Sequence, residues 1–345
     1  MCSPEEKENI NILFQHQYSF MVTKIISTSC EFGIFDLLRE SDESLSSVII
    51  AERLNTSLTG MENLLNCCVT LNLLKMERKN DRDLYRNTEF ANLYLAKSSP
   101  KSQYYTLKIL CDITSPGIKY LPDAVREGKN QISSIFGVSS NNLFHAFYRS
   151  EENNEAFFRC MNEAWCLHGR EVLTAFDLSE FEFIYDIGGS CGTLSKELVA
   201  MYPHCTVTVL DLPEVVETSR KYRAFSETSQ ITFHGGDFFK DPIPEADLYI
   251  FARVLFNWND EKCLQLLNKV FNACKPGGGV LIVEPTLDKD NTLSFPVAIY
   301  SIILLLYTEG KMRTPSEYHS FLSTTGFKDI QFKKGNIFDV ILARK

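Results

Sequence analysis

The chain of 345 residues is 44% hydrophobic and 23% charged, with a formal net charge of −9. That apolar content supplies a sizeable core and excludes a disordered chain, and 345 residues suit one large or two ordinary domains. The acidic balance argues against bulk attachment to nucleic acid or to an anionic membrane, both of which reward a basic surface.

The N-terminal residues Met1-Cys2-Ser3-Pro4-Glu5-Glu6 lack a basic segment followed by an apolar run. A cytoplasmic rather than a secreted protein is therefore expected. The 11 cysteines are scattered apart from Cys67-Cys68, without a Cys-x-x-Cys pair. Reduced thiols filling core space are expected, and no metal site.

In chain order, Phe14, Phe20, Met21, Ile25 and Ile26 punctuate one long amphipathic helix. A short helix is expected at about Leu45 to Leu54. Met61, Leu64, Leu65, Cys68 and Leu71 then step by three and four along a second apolar face. Two short runs follow, Leu74 to Arg78 and Leu84 to Asn87, flanking the polar turn Lys79 to Asp83, a hairpin signal. Helix, turn, helix and hairpin make a winged-helix pattern over residues 1–105. Residues 1–105 hold 11 basic against 14 acidic side chains, and Leu58 to Leu73 holds no Lys or Arg. Phosphate contacts need cations, so dimerisation is the better reading of this module than DNA binding.

Residues 106–180 read as a helical connector to the rest of a second domain, 106–345. Beyond it short apolar runs alternate with helical patterns: Phe183 to Ile187, Thr206 to Asp211, Ile231 to Phe233, Leu248 to Phe251 and Val280 to Glu284. This alternation predicts an α/β fold, a Rossmann-like doubly wound parallel sheet whose ligand sits at the carboxyl ends of the strands. The stretch Phe295 to Tyr307, broken by Pro296 and Ser301, is shorter than the ~20 residues of a membrane span and predicts a buried helix.

The first strand ends in Asp186-Ile187-Gly188-Gly189-Ser190-Cys191-Gly192. Gly188, Gly189 and Gly192 suit a sharp strand-to-helix turn that a ligand approaches closely. The dinucleotide spacing fails, because Ser190 and Thr193 stand where the second and third glycines belong. Asp211 ends the second strand, where an ionised carboxylate offers two acceptor oxygens to ribose hydroxyls. Asp237, in Gly235-Gly236-Asp237-Phe238-Phe239, ends the third, where it could accept from an adenine amino group beside the Phe238 ring.

Asp-x-Gly-Gly-x-x-Gly, Asp211-Leu212-Pro213, Gly236 to Phe239, Lys275-Pro276-Gly277-Gly278-Gly279 and Val283-Glu284 resemble, in that order, the motifs of S-adenosylmethionine-dependent O-methyltransferases. Tyr148 to Glu151, Gly169 to Leu178 and Pro244 to Ile250 narrow the resemblance to the vertebrate N-acetylserotonin (hydroxyindole) O-methyltransferase family, which makes melatonin. It runs end to end. The resemblance implies an S-adenosylmethionine cofactor, a dimerising N-terminal module and a small-molecule acceptor, an indole or other aromatic alcohol. A homodimer, or a heterodimer with an active paralogue, follows from the same resemblance. Tyr148, Trp165, Asp211, Gly236, Asp237, Phe238 and Arg253 match the family's cofactor-contacting positions. Ser190 replaces a family glycine, which a negative φ would tolerate.

The family's base is a His in a His-Asp-Trp triplet, oriented by a later Glu. This chain has Phe256-Asn257-Trp258, and Met312 at the orienting position. Ile303 and Tyr307 replace the family's substrate-contacting Asn and Gln. The resemblance thus implies an intact cofactor half and an acceptor half without its base. Two readings follow: impaired O-methylation, or methyl transfer to a more apolar, already nucleophilic acceptor. Substitute bases to consider are His145, His168 and Glu309.

Overall fold

The computed structural model describes residues 3–138, 151–221, 230–288 and 294–345. It divides into two compact units, residues 1–113 and 114–345.

The first unit opens with the helix Pro4–Phe32. Ser3 caps it: its Oγ accepts the Glu6 N–H at 3.1 Å, and the Glu6 carboxylate accepts the Ser3 N–H at 3.3 Å. Gly33, at φ +78°, ends it in the left-handed conformation. The apolar periodicity is used unevenly. Ile25 and Ile26 pack against a core of Cys30, Phe35, Ile50, Met61, Leu65 and Tyr85, whereas Phe14, Phe20 and Met21 stay exposed.

Residues expected as one short helix begin as a two-residue strand, β1 (Leu45–Ser46), before the helix Ser47–Arg53. The helix Leu58–Thr70 follows, then the hairpin of β2 (Leu74–Lys79) and β3 (Arg82–Asn87), with β1 paired to β3. The hairpin turn is tighter than the sequence suggests. Asn80 and Asp81 alone form it, both at positive φ, the geometry that matches strand twist in two-residue loops.

The second unit carries a seven-stranded sheet in the order β6-β5-β4-β7-β8-β10-β9. Its parallel part comprises β4 (Phe183–Ile187), β5 (Thr206–Asp211), β6 (Ile231–Gly235), β7 (Ala246–Ala252) and β8 (Cys274–Glu284). The order reverses at β4, whose neighbours are β5 and β7, so the site falls at this switch point. The strands expected from sequence stop at Glu284. Two further strands extend the sheet past β8: β10 (Asp339–Arg344) pairs antiparallel to β8, and β9 (Lys328–Lys333) pairs antiparallel to β10 at the edge.

One face of the sheet packs Tyr249, Phe251, Leu266, Leu267 and Tyr318; the other packs Trp165, Leu173, Leu194, Leu198, Ile250 and Leu342. Between β6 and β7 the described residues form no helix. Lys269 holds that link instead, its Nζ donating to the carbonyls of Phe238, Phe239 and Asp241 at 2.6, 3.0 and 2.6 Å.

The helix Phe295–Tyr307 forms where expected but is not wholly buried: Phe295, Ile299 and Ile302 are exposed. Among the described residues no helix is long and apolar enough to cross a membrane. Cys30, Cys191 and Cys263 lie in the core, and burial pushes their thiols up to about 12, 11 and 12.

Candidate active site

The candidate site is built where β4 turns into the helix Thr193–Met201. Gly188 and Gly192, at φ +70° and +71°, make the bend. A Cβ on Gly189 would lie 2.5 Å from the Asp186 carboxyl, so the turn folds directly over that side chain. Asp186 is buried, accepts from Ser195 Oγ at 2.7 Å, and has its carboxyl pushed up to about 6 by burial.

Asp211, at the end of β5, holds the turn in place. Its Oδ2 accepts the Ser190 N–H and its Oδ1 the Leu212 N–H, each at 2.8 Å. Burial pushes this carboxyl up to about 6, against the pull of those two donors. Each oxygen keeps a further lone pair for a ligand.

Ser190 does not meet the condition that would tolerate it. Its φ is +50°, the left-handed region, not the negative value at which a serine is readily tolerated. The backbone is locked there by Asp211 and by Ser219 Oγ, which donates to the Ser190 carbonyl at 3.1 Å. The left-handed conformation costs a non-glycine residue ~1–2 kcal/mol, and the Ser190 hydroxyl is buried without a hydrogen-bond partner among the described residues. Ser190→Gly removes both penalties and adds back only ~0.4–1 kcal/mol of unfolded-chain freedom. The variant is expected to be about 1 kcal/mol more stable in denaturant melts; an unchanged or lower midpoint would contradict this account of the turn.

Beyond β6, Gly236 donates its N–H to the Asp211 carbonyl at 2.9 Å, joining the two strand ends. Phe238 faces the glycine turn, its ring 3.8 Å from where a Gly188 Cβ would stand, and meets Trp258 edge-on at 6.3 Å. Asp237 is more committed than a free acceptor. Its Oδ1 takes the Phe239 N–H at 2.9 Å and its Oδ2 pairs with exposed Lys240 at 2.7 Å. Burial opposes ionisation, yet the bonds to Lys240 and Phe239 prevail and hold its carboxyl below the usual range.

Trp165 is buried on the helix Glu151–Leu173. Arg253, just past β7, has φ +61°, which turns the chain at the strand end. Its Nη1 lies 3.6 Å from Met161 Sδ, and its guanidinium lies 5.7 Å from the Phe338 ring. Trp165, Asp211, Gly236, Asp237, Phe238 and Arg253 all follow or flank the carboxyl ends of the central strands. Tyr148 and His145 lie outside the described residues.

The acceptor-side positions divide between two apolar clusters. Phe256 and Met312 share one with Val297 and Leu304, where the Tyr300 ring meets Phe256 at 6.5 Å. Ile303 and Tyr307 belong to the other, with Ala124, Ile132 and Leu306. Tyr307 is buried and donates its hydroxyl to the Thr114 carbonyl at 2.9 Å. Asn257 donates its amide to the carbonyls of Arg253 and Val254 at 3.1 and 3.3 Å, a role a carboxylate could not fill.

The two substitute bases among the described residues, Glu309 and His168, are engaged elsewhere. Glu309 accepts from Lys262 Nζ at 2.6 Å and Asn259 Nδ2 at 3.1 Å. His168 packs edge-on against Phe338 at 5.3 Å, and burial lowers its tendency to protonate.

Sequence reasoning undervalued Glu284 and missed Arg313. Glu284 is wholly buried at the end of β8, and its Oε1 accepts the N–H groups of Val254, Leu255 and Phe256 at 3.0, 2.8 and 3.4 Å. It therefore fixes the turn that presents residue 256. Arg313, also wholly buried, donates to the carbonyls of Leu255 and Trp258 and to Asp260. Gly310 passes so close that a Cβ would lie 1.9 Å from the Phe256 carbonyl oxygen. The acid in Val283-Glu284 was visible in sequence; its three donors were not.

Residues 118–328 match the O-methyltransferase domain, and residues 14–97 match the O-methyltransferase dimerisation domain. Acetylserotonin O-methyltransferase of Gallus gallus is 49% identical over 346 residues, covering 100% of both chains. The Homo sapiens protein of the same name is 47% identical, covering 99% of each chain. The crystal structure of human N-acetylserotonin methyltransferase in complex with SAM superposes with a TM-score of 0.95 at 46% identity, over 100% of this chain and 99% of that one. The chain belongs to the S-adenosylmethionine-dependent O-methyltransferase family and resembles acetylserotonin O-methyltransferase over its full length.

Proposed function

We propose that this chain binds S-adenosylmethionine and has lost the proton-removing half of the family's reaction. The observation that carries the reading is the shared apolar cluster of Phe256 and Met312, at the family's base and orienting positions. The cofactor half fits its ligand. Asp186 Oδ1, Ser190 Oγ and Arg253 Nε are buried polar atoms with no hydrogen-bond partner among the described residues, grouped at the glycine turn and the adjoining strand end. Buried polar groups are normally paired, and a site awaiting a polar ligand explains such atoms.

Asp211 would hold the ribose, Phe238 the adenine face, and Arg253 with Trp165 the remaining wall. When bound, the sulfonium supplies an electrophilic methyl group without help from the protein. What the protein must add is acceptor deprotonation. A phenol of pKa ~10 is about 0.1% ionised at neutral pH. Phe256 cannot accept its proton, and Met312 cannot orient a base.

Titration calorimetry with S-adenosylmethionine tests the retained half. The wild type is expected to show saturable binding, and Asp211→Ala to bind at least ~10-fold more weakly through loss of a charge-assisted acceptor. A wild type without saturable heat would remove the reading. The dimerisation domain and the exposed apolar residues of the helix Pro4–Phe32 support a homodimer; a heterodimer with a competent relative would use the same surface.

A second reading rests on the same apolar cluster. Phe256, Val297, Leu304 and Met312 suit a greasy acceptor that is already nucleophilic, a thiolate or an amine, which needs no base. An acceptor panel separates the two. Release of S-adenosylhomocysteine with a thiol or amine favours this reading, and background release throughout removes it.

A further inference from the structure

We infer that Phe338 is a positioning residue for the cofactor: its ring seats Trp165 and Arg253 together, so the C-terminal strand pair controls how tightly the cleft holds its ligand. The inference rests on the proposed S-adenosylmethionine site. Phe338 is 2% exposed and immediately precedes β10, far in the chain from both partners. Its ring centroid is 5.5 Å from that of Trp165 and 5.3 Å from that of His168, while the Arg253 guanidinium lies 5.7 Å from it. Two side chains proposed to line the cleft thus lean on one ring that does not follow a central parallel strand.

The ring is itself held from behind. Asp339, 2% exposed, accepts from Thr286 Oγ1 at 2.5 Å, from the Gly335 N–H at 2.8 Å and from Lys334 Nζ at 3.3 Å. Lys334 also donates to Asp288 at 2.8 Å. The Asn336 N–H reaches Glu171 Oε1 at 2.9 Å, tying the β9–β10 turn to the helix that carries Trp165 and His168. That turn, residues 334–338, therefore grips one helix at three places, through Trp165, His168 and Glu171.

Arg253 gives the ring its importance. Its backbone is left-handed and, among the described residues, its Nε is buried without a partner and its guanidinium makes one hydrogen bond, to a thioether, a weak acceptor. With so little else fixing the guanidinium, the aromatic face beneath it sets where it points. A cation held in place before the ligand arrives does not have to be ordered on binding, which favours affinity.

The test uses the full chain, with S-adenosylmethionine as the probe in calorimetry. Phe338→Leu and Phe338→Met remove the ring and keep an apolar filling; Phe338→Tyr keeps the ring. We expect each ringless variant to bind roughly 10-fold more weakly, and Phe338→Tyr to bind like wild type. The chain has 2 tryptophans, so a Trp258→Phe background isolates the emission of Trp165, which should shift to the red in the ringless variants alone. On unmutated protein, hydrogen exchange should slow on cofactor binding in residues 334–338 as well as in the helix around Trp165. Ringless variants within twofold of wild type, or equal losses in Phe338→Tyr and Phe338→Leu, would overturn the inference. If the ringless variants fail to fold, missing protection of residues 334–338 in the wild type would overturn it by itself. A wild type that does not bind S-adenosylmethionine fails the underlying reading instead, and that outcome shows before any variant is compared.

Discussion

Glu284→Ala is expected to destabilise the chain by about 3 kcal/mol or more, because it leaves the N–H groups of Val254, Leu255 and Phe256 buried without their acceptor. Glu284→Gln keeps an oxygen at that place and is expected to retain most of the stability. The two variants separate hydrogen bonding from charge. Burial pushes the Glu284 carboxyl from 4.5 up to about 8, with the three N–H donors and Arg313 working the other way. A carboxyl whose pKa is raised on folding favours the folded state while protonated. Its contribution is full below about 4.5 and is lost as pH rises towards about 8. Asp186 and Asp211, both pushed up from 3.8 to about 6, act in the same direction at lower pH. The wild type should therefore lose stability relative to Glu284→Gln between pH 4.5 and 8, and the difference should level off above that window. Urea melts across this range measure it. A constant offset between the two proteins would show that Glu284 is already ionised in the fold at acid pH.

The second large effect is a gain. Phe256→His with Met312→Glu is expected to raise release of S-adenosylhomocysteine from N-acetylserotonin by about 10²–10⁴-fold, the range of general-base assistance. S-adenosylmethionine affinity should stay within about twofold, since Asp211, Phe238 and Arg253 are untouched. Stability should fall, because a polar pair then replaces part of an apolar cluster with Val297 and Leu304. Completing the family triplet with Asn257→Asp is expected to help less than the sequence alone suggests. The Asn257 amide donates to two carbonyls, and a carboxylate would face the same two oxygens. The double variant is thus the better enzyme of the two. Stopped assays of both, with melting curves alongside, check it; turnover no higher than wild type in a folded double variant would place the defect beyond these two positions.

Much of the parallel sheet was legible because its strands hold short apolar runs, and β4, β5 and β6 end at or just before glycine or aspartate. Asp186 to Gly192, Asp211 and Gly236 to Phe239 mark the switch point with local chemistry that a sequence displays directly. The rest depended on long-range contacts. β10 is an apolar run, Val340 to Ala343, that reads equally well as a tail until its pairing with β8 is seen. Lys269 reads as a solvated helix residue, yet it closes three carbonyls of the β6–β7 link. The backbone of Ser190 was not legible because a residue's φ is set by what grips it, here Asp211 and Ser219. The split of the acceptor-side residues was equally hidden. Ile303 and Tyr307 lie one helical turn apart and were read with Phe256, but their face of the helix packs on Ala124 and Ile132. The resemblance implies that Phe256 and Met312 stand where the family has its base and orienting acid; the fold shows the two in one apolar cluster.

The most direct measurement is a single-turnover quench of the wild type, saturated with S-adenosylmethionine and mixed with excess N-acetylserotonin. Binding without chemistry is the expected result, with S-adenosylhomocysteine accumulating no faster than in a control lacking acceptor. Prompt formation of one equivalent of S-adenosylhomocysteine per site would contradict it, and would mean that a side chain other than residue 256 takes the proton.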